Sequence, residues 1–199
     1  MPVEERSDIA RGARAPDFAE PLLGWRVWDV VESEGQLRLT SLCFRAVWRP
    51  QEETVASCRR SAQMLASAFV PPHEAPHGRC ACGIYATRAA ARATPYLSRH
   101  FRGSPAAVHR VVGQVLLWGT VVEAARGWRA SHAYPAALYV PTAHGGLRSI
   151  VGGLRRPARA IEELAAELGA YRVPVEIVDA AATRELPELL EPGAARALR

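Results

Sequence analysis

Lysine is absent from this chain, and so is asparagine; all 25 basic residues are arginine. Ala, Arg, Gly and Pro are favoured together, which codon bias in a GC-rich genome accounts for. The arginines are spread along the chain with no long basic block. A net charge of +5 therefore permits an acidic partner such as nucleic acid without demanding one. Long apolar runs are missing too. The nearest candidate, Val111 to Val122, is too short to span a bilayer and is interrupted by Gly113, Gln114 and Gly119. The stretch from Met1 to Phe18 is charged and holds no apolar segment, unlike a secretory signal. These absences predict a cytoplasmic protein with no membrane contact. In that compartment four cysteines are reduced thiols or metal ligands, not disulfides.

What is present suits one ordinary domain. The 199 residues are 49% hydrophobic and 23% charged, enough to bury a core without disulfide staples. Residues 1–20 read as a loose lead-in, 21–142 as a β-rich core domain, 143–180 as a connection plus a helix–strand addition to the same domain, and 181–199 as a tail. Strands are expected over 24–31 and 36–42, joined at Glu34-Gly35 as a hairpin with Leu inward. Shorter strands follow over 44–48 and over 53–58, and Cys43, within an alternating strand, reads as core. Short helices are expected over 61–68 and 87–93, with a Pro- and Gly-rich loop between, over 73–79. The run 108–123 is rich in β-branched residues, and Gly113 and Gly119 suit bulges in it. Strands over 128–134 and 137–140 return from an Arg126-Gly127 turn. Ile161, Leu164, Ala165 and Leu168 then mark one helical face capped by Gly169, before a closing strand over 173–178.

Two enzyme motifs fail in context. His73-Glu74-Ala75-Pro76-His77 satisfies H-E-x-x-H, but that chemistry needs both imidazoles on successive turns of a helix. Pro76 lies inside the would-be helix, removes a donor and clashes with the turn before it. Gly83-Ile84-Tyr85 matches half of a GIY-YIG nuclease signature, and no Tyr-Ile-Gly follows. No catalytic residue is assigned.

The cysteines and histidines are more promising. Cys80-Ala81-Cys82 offers two thiols close together, Cys58 lies upstream, and His73 and His77 occupy the loop between. Zinc takes four N or S ligands in a tetrahedron, so a structural zinc held by three thiols and one imidazole is the candidate cofactor. Such an ion would order a loop with little regular structure of its own. Alternatively, Cys58 and Cys82 are small core residues.

Two further segments echo one another: Gly24-Trp25-Arg26-Val27-Trp28 and Gly127-Trp128-Arg129-Ala130. Trp25, Arg26, Trp128 and Arg129, with Tyr134, are candidate ligand-binding residues. An indole would stack on a planar ligand while a guanidinium pairs with its acidic part. A nucleotide or single-stranded nucleic acid fits that description. The competing view makes these Trp core residues with Arg as their outward neighbours, since Trp is usually highly buried.

Together GWRVWDV, the Trp48–Cys58 interval, CACGIYA, GQVLLWGTVVE and GWRASHAYP resemble a bacterial protein family of GC-rich genomes. That family has a G-[WY]-R-x-W start, a C-x-C-G-[IV]-Y-A centre and a V-x-L-W-G-x-V … G-[WY]-R-A-x-x-A-x-P end. The resemblance covers residues 24–140 and implies no activity. More loosely, a mixed β-barrel with Gly-bent long strands resembles the PUA-like modules that bind RNA and modified bases. The expected fold class is accordingly α+β: a mixed β-barrel or strongly bent sheet, PUA-like, with short helices and a C-terminal helix–strand unit. The leading expectation for function is a non-enzymatic ligand- or nucleic-acid-binding module. The alternatives are a small metal-dependent enzyme using the Cys58, His73, His77, Cys80 and Cys82 region, and a protein-partner adaptor.

Overall fold

A computed structural model describes residues 20–58, 73–98, 103–142, 150–151, 154–155 and 160–178. The expected lead-in, the helix over 61–68, most of the 143–157 connection and the 181–199 tail lie outside the described residues.

The fold is α+β and strand-rich. Its elements are β1 (Leu22–Ser33), β2 (Gln36–Ser41), β3 (Val47–Trp48), β4 (Thr54–Val55), β5 (Ile84–Thr87), the single turn α1 (Ala90–Ala93), β6 (Ala107–Ala124), β7 (Gly127–Pro141), β8 (Ile150–Val151), β9 (Leu154–Arg155), α2 (Ile161–Leu168) and β10 (Val175–Val178). The hairpin of β1 and β2 pairs Ser33 with Gln36, as the Glu34-Gly35 turn predicts. β1 also pairs antiparallel with β6, and β6 with β7. β5 lies antiparallel to β7 and touches β1 at Trp25–Thr87. The strands β1, β6, β7 and β5 thus form a partial ring within one sheet. β10 joins parallel to β7, which makes the sheet mixed.

Side chains on a strand alternate between faces, and both faces of β1 are covered. Trp28 and Val30 enter the larger core with Leu39, Trp48, Leu138 and the α2 residues Leu164 and Leu168. Trp25 and Val27 enter a second core with Ala90, Ala93 and Leu97. The latter residues come from α1 and the 3-10 turn Thr94–Leu97 that follows it.

Several local expectations change. The strand expected over 53–58 shrinks to Thr54–Val55, and the helix expected over 87–93 to the single turn Ala90–Ala93, because Thr87 ends β5. Strands expected over 128–134 and 137–140 merge into continuous β7, because the register slips where Val115 faces Pro135 and Gln114 faces Ala137. The bulge leaves Ala136 without a register partner beside Pro135, which cannot donate to the ladder. The strand expected over 44–48 shrinks to Val47–Trp48, because a tight turn with Arg45 at φ 50° precedes it. Cys43 is in consequence exposed, not core. Gly169 does cap α2, but in right-handed geometry, and the chain runs on through Gly169–Tyr171 to a left-handed Arg172 at φ 55°.

No helix among the described residues is long and apolar enough to cross a membrane.

Candidate metal centre

One edge of β7 assembles the site. β4 pairs there at Ala133 and His132, and Ala56 continues the contact by donating its N–H to the Ser131 carbonyl at 2.7 Å. β5 pairs with the same edge one step further on, beginning at Ile84–Ala130. The chain leaving β4 and the chain entering β5 therefore meet beside Ala130 and Ser131. Cys58 sits on the first, Cys80 and Cys82 on the second, and the loop between them supplies His73.

Cys58, His73, Cys80 and Cys82 can hold one metal ion, since each offers a ligand atom and all four atoms lie within 4.8 Å of one another. The Cys58 and Cys80 sulfurs are 3.8 Å apart. Cys82 Sγ lies 3.4 Å from His73 Nε2. Cys58 and Cys80 are buried with Ala75 in a small cluster of their own, against which Cys82 packs. Burial pushes the Cys82 thiol up to about 11; the neighbouring Cys80 and Cys58 push the same way, and a backbone hydrogen bond from His77 opposes them.

His77 falls outside this group, although its ring lies 4.6 Å from that of His73. Its Nδ1 accepts the Arg79 N–H at 3.2 Å, and its carbonyl accepts the Cys80 N–H at 3.0 Å. Residues 73–77 form no helix, and the Ala75–Pro76 peptide is cis. His77 thus shapes the loop that presents the other ligands.

Arg129 anchors that loop from β7. Its Nη1 donates to the Cys82 carbonyl at 2.9 Å, to the His77 carbonyl at 3.4 Å, and to the Cys80 carbonyl. Gly83 makes the approach possible. Its φ is +116°, and a Cβ there would stand 2.9 Å from Pro76 Cβ and 3.1 Å from Arg129 Cβ. Arg129 therefore binds the protein's own backbone.

The other proposed ligand-face residues disperse. Trp25 is buried and stacks on Tyr139 at 5.8 Å between centroids. Arg26 donates to the Tyr85 carbonyl and, at 2.9 Å, to Ser41 Oγ, with Trp48 under its guanidinium at 5.2 Å. Burial brings its pKa down to about 10, which Cys43 partly offsets. Trp128 is half-buried, and the cation over its ring, at 4.6 Å, is Arg88. Tyr134 accepts the Gln51 N–H at 2.6 Å and donates to the Tyr171 carbonyl at 2.9 Å.

A groove of about 530 Å³ runs beside the cluster, with Cys58, His73, Glu74, Ser131 and His132 among its walls. Ser131 Oγ lies 2.8 Å from His132 Nδ1 and accepts the Thr120 N–H at 2.9 Å. Gly119, at φ +75° in the β6 bulge, leaves room for that pair, since a Cβ would collide with Ser131 Oγ and His132 Nδ1. Sequence reasoning assigned neither Ser131 nor His132 a role. The one sequence signal pointing there was the bulge-prone Gly119 on the strand opposite.

No protein-family model, curated protein or solved structure matches the chain.

Proposed function

We propose that this chain is a non-catalytic binding module whose 73–82 loop is held to Cys58 by a structural zinc ion on Cys58, His73, Cys80 and Cys82. The convergence of three sulfurs and one imidazole nitrogen within 4.8 Å carries the reading. Zn–S of about 2.3 Å and Zn–N of about 2.05 Å in a tetrahedron imply S···S near about 3.8 Å and S···N near about 3.5 Å. The Cys58–Cys80 and Cys82–His73 separations, 3.8 and 3.4 Å, match both. Four protein ligands complete the tetrahedron and leave no position for water, which is the mark of a structural site. Thiol ligands of this kind suit the reducing cytoplasm.

A second reading, a small metal-dependent enzyme, is favoured by the groove that Cys58 and His73 share with Glu74 and His132. It requires one ligand to give way to water. The net charge of +5 favours an anionic ligand for the module, a nucleotide or a single strand. Arg26 and Arg129 donate to the chain from covered positions, so the exposed Arg88 beside Trp128, whose ion pair is with the also exposed Glu123, is the better candidate for contacting it.

The deciding experiment is elemental analysis and X-ray absorption on untagged protein. One zinc per chain with three sulfurs and one nitrogen supports the structural reading. Three protein ligands plus an oxygen transfer the case to the enzyme. Cys82→Ser should lose the ion, while His77→Ala should keep it. Titrating single-stranded RNA, DNA and mononucleotides at low and moderate salt tests the ligand class; no binding at low salt removes nucleic acid from the proposal.

A further inference from the structure

The cluster meets the groove through Cys58 and His73. Cys58 forms part of the groove wall, and Cys80 does not. Both are nearly covered, at 8% and 7% exposure, so the groove is the approach to the pair. Their sulfurs stand 3.8 Å apart, and both are buried; Cys82 Sγ lies 3.4 Å from His73 Nε2 and also interacts with the Cys80 side chain, but Cys82 does not line the groove. A disulfide needs about 2.05 Å between sulfurs, so a small movement of each side chain closes the gap once no ion lies between them.

We propose that Cys58 and Cys80 form an oxidative modification site, at which a peroxide entering by the groove makes a disulfide and discharges the metal. This rests on the metal reading above. Peroxide transfers one oxygen to the Cys58 sulfur, giving a sulfenic acid, and its other oxygen leaves as water. The Cys80 sulfur then attacks Cys58. The S–S bond forms as the S–O bond breaks, and that oxygen departs as a second water. Two thiolates lose one electron each, peroxide gains two, and two protons from solvent complete the two waters. Only Cys82 and His73 then remain, too few to retain zinc in a tetrahedral site. Cys58 is the thiol attacked first because it lines the groove, and Cys80, which does not line it, resolves the sulfenic acid.

The test uses the full chain with the exposed Cys43 replaced (Cys43→Ser), loaded with zinc and treated with hydrogen peroxide. Released zinc is followed with a chromogenic chelator. Thiol pairing is mapped by digestion and fragmentation, since Cys80 and Cys82 share a tryptic peptide. The expected result is loss of one zinc per chain in step with a Cys58–Cys80 linkage, reversed by dithiothreitol and added zinc. Zinc loss with a Cys80–Cys82 linkage, or with both thiols free or sulfinylated, overturns the proposal and leaves the metal reading intact. Retention of zinc at peroxide levels that oxidise free methionine also overturns it. Reduced protein that carries no zinc before peroxide is added overturns both readings together. No outcome depends on a Cys58 variant folding.

Discussion

Arg129 donates a 2.9 Å hydrogen bond to the Cys82 carbonyl, so a cation rooted in β7 holds the backbone that presents the thiols. The same nitrogen reaches the Cys80 and His77 carbonyls. A zinc ion with three thiolates and one neutral imidazole carries a net single negative charge, which a guanidinium behind the loop offsets. Groups of this kind orient ligands they do not themselves supply. Arg129→Met is expected to weaken zinc binding by about 10- to 100-fold, read by competition against a chelator of known affinity. Arg129→Lys should recover only part of the loss, because an ammonium cannot reproduce the planar fork. Unchanged affinity in both variants would show that the loop holds its shape without the clamp.

Metal binding should depend on pH through Cys82. Its thiol, raised to about 11 chiefly by burial, keeps its proton at neutral pH in the metal-free protein. An entering ion must displace that proton, so affinity is expected to rise by about tenfold per pH unit from this thiol alone. Competition titrations between roughly pH 6 and pH 8 give the slope; a flat profile would remove Cys82 from the ligand set. Stability of the metal-free form runs the other way. Because the folded pKa lies above the ordinary value of 9.0, the thiol's contribution is complete below that value and fades as pH climbs toward about 11.

Much of this architecture is legible in local pattern. The hairpin at Glu34-Gly35, the Gly119 bulge and the apolar face of α2 follow from alternation, glycine placement and helical spacing. Pro76 likewise excludes a helix at 73–77. Non-local pairing decides the rest. Nothing near Cys58 in the sequence says that β4 and β5 share one edge of β7, yet that shared edge brings Cys58 to Cys82. The same holds for Arg26 and Arg129, where similar Gly-Trp-Arg strings read as similar roles. In the structure one guanidinium serves Tyr85 and Ser41, and the other serves the thiol loop. Identical tripeptides acquire different partners because the partners arrive from distant segments.

Tyr171 links the C-terminal unit to the sheet. Its hydroxyl accepts the Leu39 N–H at 2.8 Å and donates to the Trp48 carbonyl at 2.5 Å, across two strands of the hairpin edge. Burial, which also pushes its pKa up to about 12, leaves both backbone groups with little access to water as a substitute. Tyr171→Phe keeps the ring and removes the oxygen, so a loss of about 1–3 kcal/mol is expected from the groups left unsatisfied. Chemical denaturation gives the value, and a loss near zero would mean that water replaces the hydroxyl.

Asp29 and Arg110 face each other across β1 and β6 and pair at 2.7 Å with side-chain exposures of 0% and 5%. Two charges so deeply covered carry a desolvation penalty that only close pairing and further hydrogen bonds offset. Those bonds exist. Arg110 donates to the Tyr96 carbonyl at 3.2 Å and to the Ser98 carbonyl at 2.6 Å, and Asp29 accepts the Ser104 N–H at 2.5 Å. The pair thus holds the chain on both sides of residues 99–102 against the sheet. Asp29→Asn or Arg110→Met alone is expected to cost about 3–5 kcal/mol, because each leaves the opposite charge buried without its counterion. The double variant Asp29→Asn with Arg110→Met removes both charges and should cost clearly less than the two single losses combined. Urea unfolding of the four proteins closes the cycle. Additive losses would show that the two side chains act separately, and the ion pair would then not be what fixes this segment to the sheet.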